Sequence, residues 1–289
     1  MSIAGVGGMD LGLERSGWHC AGQVEIDPWC RKVLAKHWPQ VWKHNDVRTV
    51  TAELVQKHCG AIDAIVGGPP CQPASVAGRR TGAADYRWLW PDFLRVVFEV
   101  RPVWVLAENP GDVLSLEVYG TTFLQWAGRE FEDRGYEILP VIFGAEDVGA
   151  SHRRRRLFLV AHANRHGQQQ PQGAFKAVGR GAGYGSQEMA NTFGARLEGY
   201  RDRAIGAGSQ IALSSGSGLS QWPAMQGEEQ YEWEEPRLSE YPLGVPVDGL
   251  SERLVRGHRR RIIKALGNAV VPACAEVIGR TILETGGLI

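Results

Sequence analysis

A thiol and a carboxyl, each closing an apolar run, are the residues of this chain best placed to do chemistry. Cys71 lies in Gly67-Gly68-Pro69-Pro70-Cys71-Gln72-Pro73, directly after the apolar Ala64, Ile65 and Val66. Glycines and prolines allow neither strand nor helix to continue, so the thiol is expected in a turn at a strand's carboxyl end. In an open α/β sheet that edge binds ligands. Glu108, followed by Asn109 and Pro110, ends the apolar run 103–107 at the same edge. A carboxyl near a thiol suits acid-assisted nucleophilic addition: protonating one atom of an electrophile opens the neighbouring carbon to thiolate. A pyrimidine fits, with sulfur adding at C6 while an acid holds N3. A structural cysteine in a proline-rich turn and an exposed, turn-ending glutamate are the plainer alternatives.

A second group of residues suits a nucleoside-type cofactor. Gly5-Val6-Gly7-Gly8 precedes a helix expected from residue 9. Glycines there let a ligand approach the backbone, and the helix start offers N–H donors to an anion. Glu25 and Asp27 follow the next apolar run, at the distance expected of an acid on ribose hydroxyls. Asp46 follows the run 41–44 and suits an adenine amino group. Each carboxylate on its own also fits a helix cap or a solvated loop, but three at successive strand ends favour the cofactor.

The elements that must position these groups alternate along the chain. Strands are expected at 19–24, 62–66, 103–107, 138–143 and 157–161, and helices at 9–16, 29–37, 50–58, 90–100 and 122–134. That alternation predicts an α/β fold with a doubly wound, mostly parallel sheet. Residues 164–220 are rich in Gly, Gln, Ser and Ala and read as loops. Order is expected to return with a helix at 272–284, which Pro272 can open and which should pack back on the first domain. The domains expected are therefore 1–162, a small region 163–250, and a returning segment 251–289. At 289 residues and 43% hydrophobic content the chain can bury a sizeable core. It has no signal-peptide pattern or membrane-length apolar run, and its five cysteines form no CxxC pair, so neither a disulfide framework nor a zinc site is expected. Formal net charge is +0, so any attraction to nucleic acid must be local, at 153–156 and 258–261, where a solvated face is the alternative.

With these blocks in view the chain resembles the DNA cytosine-5 methyltransferase family of bacterial and phage type. The resemblance runs in order through Ile3-Ala4-Gly5-Val6-Gly7-Gly8, Glu25-Ile26-Asp27, Asn45-Asp46-Val47, Pro69-Pro70-Cys71-Gln72, Asp85-Tyr86-Arg87 with Leu89-Trp90, Glu108-Asn109, residues 149–157, and Gly267-Asn268-Ala269-Val270-Val271-Pro272. It implies a Rossmann-like methyltransferase fold with a small irregular target-recognition insertion. It also implies methyl transfer from S-adenosyl-L-methionine to C5 of a flipped-out cytosine in double-stranded DNA. Cys71 would add to C6, Glu108 would contact N3 and the exocyclic amine, and Arg154 and Arg156 would hold the base and its backbone, with Arg153 and Arg155 left for phosphate or solvent. The resemblance further implies that the cofactor lies against Ile3, Gly5, Gly7, Glu25, Ile26, Asp46, Val47, Pro70, Leu89, Asn268 and Val270, and the substrate against Gln72, Ser75 and Asn109. The nearby arginines are expected to lower the Cys71 pKa. No metal and no membrane are implied, a cytoplasmic restriction-modification role fits, and a monomer suffices.

Three departures qualify the match. The first motif lacks the usual aromatic residue, since the chain opens Met1-Ser2-Ile3, so either the start is assigned late or the central strand is short. Pro110 stands where Val is usual, and the Gly-rich region lacks a clear copy of an Arg-rich motif. The alternatives are a catalytically impaired DNA- or cofactor-binding relative and an RNA cytosine-5 methyltransferase.

Overall fold

The computed structural model describes residues 1–71, 88–150, 152–163, 261, 264–265 and 267–286. Gln72, Ser75, Asp85-Tyr86-Arg87 and nearly all of the expected recognition region lie outside these residues. The strands are β1 (Ser2–Ile3), β2 (Gly22–Val24), β3 (Trp42–His44), β4 (Ala64–Gly67), β5 (Trp104–Pro110), β6 (Glu117–Val118), β7 (Thr121–Thr122), β8 (Tyr136–Phe143) and β9 (Arg156–Ala163). The α-helices are α1 (Gly8–Arg15), α2 (Pro28–His37), α3 (Ala52–Cys59), α4 (Trp90–Val100), α5 (Phe123–Glu132) and α6 (Pro272–Gly286).

Seven strands form one sheet in the order β3-β2-β1-β4-β5-β9-β8, and β6 with β7 form a separate hairpin. The first five strands of the sheet are parallel, and β9 runs antiparallel to both β5 and β8. The fold is therefore mixed α/β with a mostly parallel central sheet. From β1 the chain winds outward through β2 to β3, and from β4 it winds the other way to β5. The reversal between β1 and β4 is a topological switch point, which opens a crevice beyond their carboxyl ends.

Side-chain alternation builds a core on each face. Val105 and Ala107 of β5, with Leu157, Leu159 and Ala161 of β9, pack with α3, α4 and α5. Trp104 and Leu106, with Phe158 and Val160, pack with α1 and α6 on the opposite face. Helix starts follow local chemistry. The Asp27 carboxylate accepts from the backbone N–H of Trp29 and Cys30 ahead of Pro28, and Thr122 with Gln125 forms a capping box on α5. Asp27 is thus a helix cap, as the plainer reading of the acid allowed.

The expected short strand at 103–107 extends to Pro110, because β9 pairs with it antiparallel along its whole length and Pro110 sits at its exposed end. Glu108 and Asn109 consequently stand inside a strand rather than beyond one. The β6–β7 hairpin was not anticipated; its turn carries Tyr119 and Gly120, both at positive φ. β1 has two residues, yet it pairs with β2 and β4.

Candidate active site

Cys71 and Glu108 approach each other at the crevice because β4 and β5 are adjacent and parallel, in the register Gly67↔Ala107. A Cβ built on Gly68 would lie 3.3 Å from Glu108 Oε2, so glycine there leaves room for the acid. Pro69 and Pro70 bring no N–H to the loop, and a side chain holds it instead. The Asn109 amide donates to the Pro69 carbonyl at 2.9 Å, and the Trp90 indole N–H donates to Asn109 Oδ1 at 3.1 Å. Asn109, expected against substrate, is only 3% exposed and is turned inward on the loop that carries the thiol.

The Glu108 carboxyl is 6% exposed and pairs with Arg156, whose Nε lies 3.0 Å from Oε1. Burial pushes its pKa up to about 7, against the pull of Arg156 and Arg154. A carboxyl so tuned can serve as an acid near neutral pH. Burial, reinforced by the Glu108 carboxylate, pushes the Cys71 thiol up to about 11; Arg156 pulls it down by less. Nearby arginine was expected to lower the Cys71 pKa, and Arg156 does pull it down, but burial and Glu108 outweigh that pull and the resting thiol keeps its proton.

The basic run alternates as a strand does. Arg154 and Arg156 turn inward, while Arg153 and Arg155 face out with side chains 88% and 61% exposed. Arg154 has φ 31, and its guanidinium donates to the carbonyls of Gly267 at 2.7 Å and Ala269 at 2.6 Å. It grips the returning segment on either side of Asn268. Arg153 and Arg155, expected to be free, both lean on Glu146.

Of the proposed cofactor residues, Gly5, Gly7, Glu25 and Ile26 stand just beyond the carboxyl ends of β1 and β2. Gly5 and Gly7 have φ 55 and 87, which only glycine adopts readily. Glu25 Oε2 accepts from Gly5 N–H at 2.9 Å and Oε1 from Asp27 N–H at 2.7 Å. A carboxylate has about four acceptor positions, so two remain for hydroxyls. Burial raises the Glu25 pKa, and those two backbone bonds hold it down. Ile26 is 57% exposed, an apolar side chain presented beside the acid. Asp46 departs from expectation: Arg48 Nε and NH2, with the Arg48 backbone N–H, occupy its carboxylate, and its pKa is lowered. An adenine amino group would have to compete with that ion pair. Val47 is buried beneath this turn, and Ile3 pairs with Gly67 across β1 and β4. Pro70 and Leu89 are half-buried, Asn268 is exposed, and the Val270 carbonyl closes on Gly8. An acid with free acceptor positions, an exposed apolar side chain and an open glycine turn on one edge fit an adenosine-bearing cofactor.

Residues 3–192 match the family of C-5 cytosine-specific DNA methylases. The chain belongs to that family. Relatives include the Type II methyltransferase M.FnuDI of Fusobacterium nucleatum, 33% identical over 159 residues that cover 55% of this chain and 44% of that protein. The Type II methyltransferase M.AquIA of Picosynechococcus is 33% identical over 175 residues, covering 55% of this chain and 69% of that one. The chain thus spans less than half the length of the first of these relatives. A solved Escherichia coli structure of a prophage-encoded DNA modification methyltransferase is 31% identical, with TM-score 0.48, covering 56% of this chain and 45% of that one.

Within this family member, Glu146 is a site neighbour that the sequence reading did not name, and Trp90 entered it only in the Leu89-Trp90 block, with no role of its own. A buried indole needs a partner, which was a usable signal for Trp90; nothing local marked Glu146. Among the described residues no group of three or more His, Cys, Asp or Glu could hold a metal ion, and no helix is long and apolar enough to cross a membrane.

Proposed function

We propose that the protein methylates C5 of cytosine in double-stranded DNA, using S-adenosyl-L-methionine, as the modification enzyme of a restriction-modification pair. The observation that carries this reading is the buried Glu108, paired with the half-buried Arg156, beside a thiol on a proline-locked loop at the switch-point crevice. Family membership supports the substrate and the cofactor. When bound against Gly5, Glu25 and Ile26, the cofactor supplies an electrophilic methyl carbon.

The chain's own groups act on the base. A stacked cytosine hides C6, so the base must leave the duplex to reach Cys71. Its entry displaces water and brings the ring against the thiol, whose proton must leave before sulfur attacks. The sulfur then bonds to C6, and the C5=C6 electron pair shifts to make C5 a nucleophile while Glu108 protonates N3. Arg156 holds the acid in place and stabilises its carboxylate once the proton has gone. After C5 is methylated, loss of the C5 proton to a base, rupture of the S–C6 bond and return of the N3 proton to Glu108 restore the aromatic ring and free Cys71.

The test is incubation with labelled cofactor and duplex DNA, or with RNA, alongside DNA carrying 5-fluorocytosine. Label in DNA and a covalent adduct that disappears in Cys71→Ala are expected. Label in RNA alone, or an adduct that survives the substitution, overturns the reading.

A further inference from the structure

We propose that Trp90 is a positioning residue for the Cys71 nucleophile, because its indole N–H sets the orientation of the Asn109 amide that holds the Cys71 loop. The inference rests on the function proposed above for its activity readout, and on geometry alone for the rest. Trp90 is 0% exposed, and its ring is wedged by Phe93, Phe123 and Trp126 at centroid distances of 5.6, 5.0 and 6.2 Å. The N–H therefore cannot swing to follow a moving partner.

An asparagine amide is nearly symmetric in shape, and half a turn about Cβ–Cγ exchanges its oxygen and nitrogen. An indole is a donor only, so it is satisfied by the amide oxygen and not by the NH2. In the observed orientation Trp90 Nε1 meets Oδ1 at 3.1 Å and Nδ2 donates to the Pro69 carbonyl at 2.9 Å. The flipped amide would set donor against donor and oxygen against oxygen at buried contacts, losing two hydrogen bonds at once. Trp90 thus ensures that Asn109 offers a donor to the Pro69 carbonyl, two residues before Cys71. Neither Pro69 nor Pro70 has an N–H with which to hold the loop itself.

Trp90→Phe keeps the ring packing and removes the N–H. The expected result is a kcat for DNA methylation lowered about tenfold, the rate equivalent of about 1.4 kcal/mol, with KM for DNA and cofactor within about twofold. Alkylation of Cys71 by iodoacetamide in the free protein should quicken several-fold, since a loosened loop exposes the thiol to water. Asn109→Ala, which removes the donor to the Pro69 carbonyl without adding a charge beside the thiol, should behave alike. The double variant should be little worse than either single one. Val96→Ala, a 1%-exposed core truncation on the same helix, controls for lost stability and should leave both readouts near wild type. Wild-type kcat and alkylation rate in Trp90→Phe would overturn the proposal, as would equal losses in Val96→Ala. If the wild-type protein methylates no cytosine, the proposed function falls and the alkylation rates still decide the role of Trp90.

Discussion

The Glu108 carboxylate opposes ionisation of the neighbouring Cys71 thiol. Cys71 alkylation needs thiolate, and the negative charge of Glu108, after burial, helps raise the thiol's pKa to about 11. Glu108→Gln should therefore abolish methyl transfer and yet speed Cys71 alkylation at pH 8, followed by mass spectrometry of the Cys71 peptide; a slower reaction would contradict the coupling. The same carboxyl makes stability depend on pH. Its pKa rises from 4.5 unfolded to about 7 folded. Below 4.5 both states hold the proton; between 4.5 and 7 the unfolded chain releases it first, so stability falls as pH rises through that window. The cost above it is on the order of 3 kcal/mol. Glu108→Gln cannot titrate, so its melting temperature relative to wild type should climb between pH 4.5 and pH 8. A constant difference across that range would show that the carboxyl is not buried in this way.

At the scale of elements, the site depends on how closely α1 and the returning segment pack. Gly8 meets the Val270 carbonyl, and Gly12 meets Pro272 and Ala275, so α6 rests on α1 with glycines at the contact. A methyl at Gly12 would collide with the Pro272 carbonyl oxygen, which is backbone and cannot swing aside. Gly12→Ala should destabilise by about 1–3 kcal/mol, against the modest gain that alanine gives in a free helix. It should also displace Asn268 and Val270 and weaken cofactor binding; thermal melts and calorimetric titration with S-adenosyl-L-methionine check both. Unchanged stability would mean that α6 can shift outward freely. Sequence patterning made α1 and α6 visible as helices, but their contact was beyond it, since Gly12 and Pro272 are paired only by the folded sheet beneath them.

Across the whole molecule, what sequence disclosed was chemistry marked by local punctuation. Gly67 to Pro73 announced a turn with a thiol, and Glu108-Asn109 announced an acid at the next strand end, because both signals sit within a few residues. Roles that depend on register were hidden. Asn109 holds the Pro69 carbonyl only because β4 and β5 run side by side, and Arg154 reaches Gly267 across 113 positions of sequence. Glu146 belongs to this hidden class, and under the proposed function it bears on how a chain of zero net charge would attract a polyanion. Its carboxylate pairs with Arg153 and Arg155, the two outward arginines of the run whose inward members serve the site. Under the proposed function a DNA phosphate must compete with Glu146 for them. Each phosphate contact adds about 0.9 to the slope of log affinity against log salt. Arg153→Ala with Arg155→Ala should thus flatten that slope by up to about 1.8 and weaken binding similarly on all sequences. Glu146→Gln should act in the opposite direction, tightening binding at low salt by freeing both guanidinium groups. Duplex titrations across a salt series measure all three proteins. A slope unmoved by the double arginine variant would remove this face from the DNA path, and unchanged or weaker binding by Glu146→Gln would overturn the role given to Glu146.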